Sequence, residues 1–397
     1  MGYKTLLIVL CSLPFYYFSQ WGCTDPQATN YDVNASLNDG SCVYSTTNYS
    51  LSLVNNLSDV LQENSGLIRI GNFLYTFNDS GAGALIYELD TLGIVLRTIP
   101  VGGATNVDWE AITSNSTHVF IGDVGNNNGN RQDLCLYRFL KSDLTLDTVQ
   151  AEKLPFYWSD QTQFTSLPNA NNYDCEAIVA DADSITLFSK NWEDLQTRRY
   201  RLPCFWSDTL AAQLRDSFAV DGLITDACVD TFLNRSYLLG YKNNGNNFYT
   251  SFVWCLWDYQ DQQVFSGNRR RVEVGNVLTV AQTEGIALKA SNKGYISSEK
   301  VSSVITIAPK LFQFDFTQFV EATASVKPQK PMALFQLIPH LEEGYTELMI
   351  PMPFNQCMLS DIQGRTIHLE STNRFNIYAR GLVLLTVDGK NTLIFLP

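Results

Sequence analysis

Seven acids, a lysine and a tyrosine stand where their side chains could share one site: Asp79, Glu110, Asp123, Glu176, Lys190, Asp226, Tyr241, Glu284 and Glu299. Carboxyl groups brought together repel one another, so some must be paired with a base, protonated or bound to a cation. Hard oxygen ligands suit calcium, and Glu110, Asp123, Glu176 and Glu284 are the set expected to hold it. The run Gly122-Asp123-Val124-Gly125-Asn126-Asn127-Asn128-Gly129-Asn130-Arg131 adds amide and carbonyl oxygens. The competing reading gives the same polar residues a structural task, capping strand amides or tying neighbouring strands together. Other chemistries are disfavoured. His118 is the one histidine between residues 49 and 322, which argues against a histidine-rich zinc site and a Ser-His-Asp triad. No Walker-type glycine loop and no dinucleotide fingerprint are present. Lys190, Arg131, Arg198 and Arg199 are the only basic candidates for a phosphate-ester pocket.

The elements that must position these residues come from a repeat. Asp108-Trp109-Glu110-Ala111-Ile112 returns as Asp174-Cys175-Glu176-Ala177-Ile178, as Thr225-Asp226-Ala227-Cys228 and as Thr283-Glu284-Gly285-Ile286. Asn64-Ser65-Gly66-Leu67 is a weaker forerunner. Each copy opens an apolar run, and a second apolar run follows that ends in a polar residue. Opener and closer lie 13 to 15 residues apart in every copy: Ser65 to Asp79, Glu110 to Asp123, Glu176 to Lys190, Asp226 to Tyr241, Glu284 to Glu299. Successive openers lie 45 to 66 residues apart. A constant inner unit with a variable remainder suits four-stranded propeller blades with free outer loops. Two antiparallel strands fit between opener and closer, which then fall at the same end of the hairpin. The expected fold is all-β: a β-propeller over residues 49–322 with five four-stranded blades, six being the alternative. Openers and closers would ring one mouth of its channel. The fifth repeat stops one strand short, and the run 49–54 is expected to supply that strand beside 311–316.

The chain has 397 residues, 45% of them hydrophobic, enough for a large core and more than one domain. Its net charge of −13 argues against a nucleic-acid partner. Residues 1–20 read as a signal peptide, with Lys4 before an apolar stretch, and no later run is long enough to cross a membrane as a helix. The mature chain is therefore expected to lack a transmembrane segment. Cleavage removes Cys11 and leaves eight of nine cysteines, which an exported protein can oxidise. Residues 323–334, with Ser325, Lys327, Pro328, Lys330 and Pro331, read as a linker.

Gly22-Cys23-Thr24-Asp25-Pro26-Gln27-Ala28-Thr29-Asn30-Tyr31 and Asn38-Asp39-Gly40-Ser41-Cys42 resemble the cysteine-bracketed GCTDPxAxNY…DGSC module of exported bacterial surface proteins. The resemblance covers residues 21–44 and implies a small loop closed by one disulfide, Cys23 to Cys42. Asp25, Asn30, Asn38 and Asp39 would either hold calcium or make turns. Residues 357–367 and 375–387 resemble the C-terminal sorting domain of the type IX secretion system, a small β-sandwich, here 335–397. Val383 replaces that family's usual Tyr, and Leu337-Ile338-Pro339-His340 its usual Pro-Asn-Pro. The blocks at 78–81, 108–110, 122–127, 174–177 and 284–286 resemble an exported propeller group. At fold level they are similar to calcium-dependent phytase-like and lactonase-like propellers. These resemblances imply a secreted or outer-surface protein handled by the type IX export machinery. Two functions follow: a module binding an unknown ligand or protein at the mouth, or a calcium-dependent hydrolase of the phytase-like or lactonase-like esterase kind.

Overall fold

The computed structural model describes residues 20–320, apart from 246–247, 261 and 303–305, together with the strands of the C-terminal region. The expected signal peptide, except Gln20, and the expected linker lie outside the described residues. The chain divides into two compact units, Met1–Thr323 and Ala324–Pro397.

The first unit begins with β1 (Trp21–Gly22) and β2 (Leu37–Asn38), paired in parallel beside the Cys23–Cys42 disulfide. Asp25 accepts the Gln27 N–H at 2.9 Å and Asp39 that of Ser41 at 2.9 Å, so these two oxygens make turns, while Asn30 accepts the Val43 N–H at 2.8 Å and ties the two ends of the module together. Two short strands follow, β3 (Thr47–Asn48) and β4 (Ser52–Asn56).

Four-stranded antiparallel sheets then succeed one another. The first is β5 (Asn64–Ile70), β6 (Phe73–Asn78), β7 (Leu85–Leu89) and β8 (Val95–Gly102). The second is β9 (Trp109–Ser114), β10 (His118–Asp123), β11 (Cys135–Leu140) and, after the short β12 (Val149–Gln150), β13 (Glu152–Trp158). The third is β14 (Asp174–Ala180), β15 (Ser184–Lys190), β16 (Thr197–Pro203) and β17 (Leu210–Phe218). The fourth is β18 (Leu223–Asp230), β19 (Arg235–Asn243), β20 (Tyr249–Trp257) and β21 (Asn268–Asn276). The last has β22 (Gln282–Ala290) and β23 (Lys293–Glu299), a ribbon of β24 (Val301–Ser302) with β25 (Thr306–Ile307), and β26 (Lys310–Asp315). Its fourth strand is β4, antiparallel to β26 with Leu53 opposite Phe312. The pairing segment is Ser52–Asn56, slightly later than the run 49–54.

The first strands β5, β9, β14, β18 and β22 pack side by side in that order, and β22 returns to β5. This cyclic order makes the fold all-β and propeller-like. Second strands are covered on both faces, so they read as unbroken apolar runs: Val119, Phe120 and Ile121 are all fully buried. Trp109 fills the gap between the first and second sheets, edge-on to Phe77 at 5.6 Å between ring centres. Outer edges are covered in ways the repeat does not signal. β12 pairs with β8, β3 pairs with β21, and β13 joins β17, each in parallel. Such cover prevents edge-to-edge association.

Cys135, Cys175, Cys204, Cys228 and Cys255 carry free thiols. Among the described residues no helix is long and apolar enough to cross a membrane. In the second unit, β27 (Gln336–His340), β28 (Tyr345–Met349), β29 (Cys357–Asp361), β30 (Thr366–Leu369), β31 (Arg374–Ile377), β32 (Gly381–Val387) and β33 (Lys390–Leu396) form two sheets, ordered β27-β28-β31 and β30-β29-β32-β33.

Candidate functional site

Every first strand carries a β-bulge near its start. Pairing with the second strand skips Glu110 in β9, Glu176 in β14, Thr225 in β18 and Glu284 in β22; in β5 it skips Gly66 and Leu67. A bulged residue leaves the ladder and its side chain is re-aimed. Glu110, Glu176 and Glu284 thereby reach a common pocket of about 390 Å³. Asp79, Lys190, Tyr241 and Glu299 also line it, so seven of the nine expected residues meet.

Asp123 and Asp226 do not. Lys190, Tyr241 and Glu299 each pair with the residue two before a bulge, whereas Asp123 pairs with Trp109, one before. A shift of one residue turns a strand side chain to the other face. Asp123 accordingly binds Arg131 at 2.8 Å and accepts the Asp108 N–H at 3.1 Å. Asp226 stands one residue past the bulge at Thr225. It is fully buried and accepts the N–H groups of Ile286 at 2.7 Å, Ala227 at 2.8 Å and Leu67 at 3.3 Å. Thr225 donates to the Thr283 carbonyl at 2.9 Å. Thr225 and Asp226 perform the structural task, tying first strands to one another.

The pocket also has residues the sequence pattern passed over. Trp192 lies two beyond Lys190, and the strand period of two could have flagged it. Gln282 donates to Glu284 at 2.7 Å. Asn127 and Asn128, from the run expected to add oxygens, form a rim with the unforeseen Asn169, in which the Asn169 N–H donates to the Asn127 carbonyl at 2.9 Å and the Leu167 N–H to that of Asn128 at 2.8 Å. Gly129 makes this rim possible: its φ is +68°, and a Cβ there would meet Asn171 at 2.6 Å.

Lys190 dominates the electrostatics. Its ammonium donates to Glu176 and lies over the rings of Trp192 at 4.9 Å and Tyr241 at 5.3 Å. Burial alone would favour the neutral amine, but Glu176, Tyr241 and Glu284 outweigh it and hold Lys190 charged. Burial, with Glu284 and Asp174, raises Glu176 as well, and Lys190 opposes that rise. One of its oxygens takes the lysine; the other is buried with no hydrogen-bond partner. The remaining acids hold protons more tightly than usual. Burial, helped by Glu63, Asp108 and Glu284, pushes Asp79 up to about 7. Burial and Asp174 push Asp108 up to about 6. Burial likewise raises Glu110, Glu284 and Glu299.

Among the described residues no three acidic, histidine or cysteine side chains stand close enough to share a metal ion. Of the four expected ligands, Asp123 faces Arg131, and Glu176 is occupied on one oxygen by Lys190.

No family model matches the chain, and no curated protein matches it. Solved structures do. One is a candidate 6-phosphogluconolactonase from Bacteroides uniformis, 12% identical at a TM-score of 0.32, covering 82% of this chain and 85% of that one. Another is a GH43 β-1,3-galactosidase determined with galactodeoxynojirimycin, 10% identical at 0.36, covering 75% and 100%. A hypothetical protein from Leishmania major is 13% identical at 0.39, covering 70% and 93%.

Proposed function

We propose that the chain is a secreted or cell-surface propeller of five blades whose channel mouth binds a small ligand. The observation that carries this reading is the walled pocket of about 390 Å³ in which Glu176 keeps one buried oxygen unpartnered. A purely structural ring would satisfy its buried polar groups internally, as Asp226 does. The Cys23–Cys42 disulfide and the type IX-like tail support the location outside the cell. The test is thermal unfolding of the full chain against a panel of amines, saccharides and carboxylic acids. At least one should raise the melting temperature of the wild type and not that of Glu284→Gln. If no compound does so, the mouth is not a binding site.

A hydrolase is the second reading, and Asp79 favours it. A carboxyl that titrates at about 7 can act as a general acid at neutral pH.

A further inference from the structure

We propose that the ligand of the mouth is a small organic cation bearing two or more amino groups. This inference rests on the reading of the mouth as a ligand site and names the class of molecule it takes.

The wall carries the carboxyl groups of Asp79, Glu110, Glu176, Glu284 and Glu299. Among its described residues Lys190 is the one basic group, and Glu176 already engages it. Arg131 is turned to Asp123 and to the Gly125 carbonyl, each at 2.8 Å. An anionic ligand would meet an excess of like charge, and a cation relieves that repulsion.

The spacing of the acids then chooses between kinds of cation. A calcium ion gathers six to eight oxygens at about 2.3–2.6 Å. No three acids here stand that close, and a pocket of about 390 Å³ suits a molecule rather than an ion. Nitrogens spread along a carbon chain can instead meet acids spread around a wall. The unpartnered oxygen of Glu176 asks independently for a partner: it is buried, and the other oxygen of the same carboxyl already takes the Lys190 ammonium.

The chain itself supplies the template. Lys190 places an ammonium between the Glu176 carboxylate and the faces of Trp192 and Tyr241. Carboxylate and aromatic face are the two groups that recognise an ammonium. A ligand amine beside Lys190 would take the free oxygen of Glu176, and a second would reach Glu284 or Glu299.

The experiment is isothermal titration of the full chain with putrescine, and separately with glucose, at near-physiological salt. The expected result is one putrescine site, weakened at least about tenfold by Glu176→Gln, the loss of a charge-assisted hydrogen bond. Trp192→Ala, which removes no charge, should weaken it as well and guards against a fold defect in the first variant. Glucose should give no heat. Glucose binding that depends on Glu176 and Trp192, with putrescine inert, overturns the cation class and leaves the site standing. Putrescine binding at many weak sites, indifferent to both substitutions, overturns it as adsorption to an acidic surface. Silence from both probes also overturns it, and the compound panel above then decides whether the mouth binds anything.

Discussion

The Asp226 carboxylate accepts the Ile286 backbone N–H at 2.7 Å, joining the first strands of the fourth and last sheets. The same oxygen takes the Leu67 N–H from the first sheet at 3.3 Å, so one side chain spans three members of the ring.

Removing it should leave buried N–H groups orphaned. An unsatisfied buried donor costs about 1–3 kcal/mol, so Asp226→Ala is expected to lose about 2–4 kcal/mol. Urea unfolding followed by circular dichroism measures it. A midpoint equal to that of the wild type would show that the tie carries no stability.

The Lys190–Glu176 pair is buried on both sides, with side chains 5% and 4% exposed. Deleting one partner strands the other. Lys190→Met is expected to cost about 3–5 kcal/mol, and the double variant Lys190→Met with Glu176→Gln distinctly less. Additive losses in that double-mutant cycle would mean that the two groups do not interact.

The acids of the mouth set a pH dependence. Asp79 has a folded value of about 7 against an ordinary 3.8, so the folded state binds the extra proton between these limits. Its contribution is complete below about pH 4 and is lost as pH rises towards 7. Glu110, Glu284 and Glu299 act in the same direction. The melting temperature should therefore fall from pH 5 to pH 8, less steeply in Asp79→Asn. A rise over that interval contradicts the assignment.

Calcium can be tested on the intact protein. Lys190 already supplies a positive charge among the acids, so chelator is expected to leave the melting temperature unchanged. A fall with chelator that Glu284→Gln abolishes would instead place calcium in the ring and support the calcium-dependent hydrolase.

Export is tested by deleting residues 335–397. Retention in the periplasm is the expected result, and arrival at the cell surface would remove the sorting role from the tail.

Much of this was legible because strand chemistry is local. The apolar run and polar closer of each repeat fix a hairpin, and Glu110, Glu176 and Glu284 meet as their spacing implies. Asp123 and Asp226 stand off the site because a bulge moves the side-chain phase by one: it falls on a glutamate in three first strands but on Thr225 in β18, one before Asp226, and Asp123 pairs one residue before the bulge at Glu110. The parallel joins between outer edges were invisible for a different reason. They use backbone groups, and two-residue strands such as Val149–Gln150 carry no periodicity.

The pairing of β4 with β26 has a consequence in time. The strand made early is placed last: Ser52–Asn56 must await Lys310–Asp315, about 250 residues further on. At about 5–20 residues per second, synthesis leaves it without that neighbour for roughly 13–50 s. A nascent chain halted before Lys310 therefore carries an orphan strand at its front and an incomplete sheet at its back. Completion of the ring reports that translation of the first unit has reached its end.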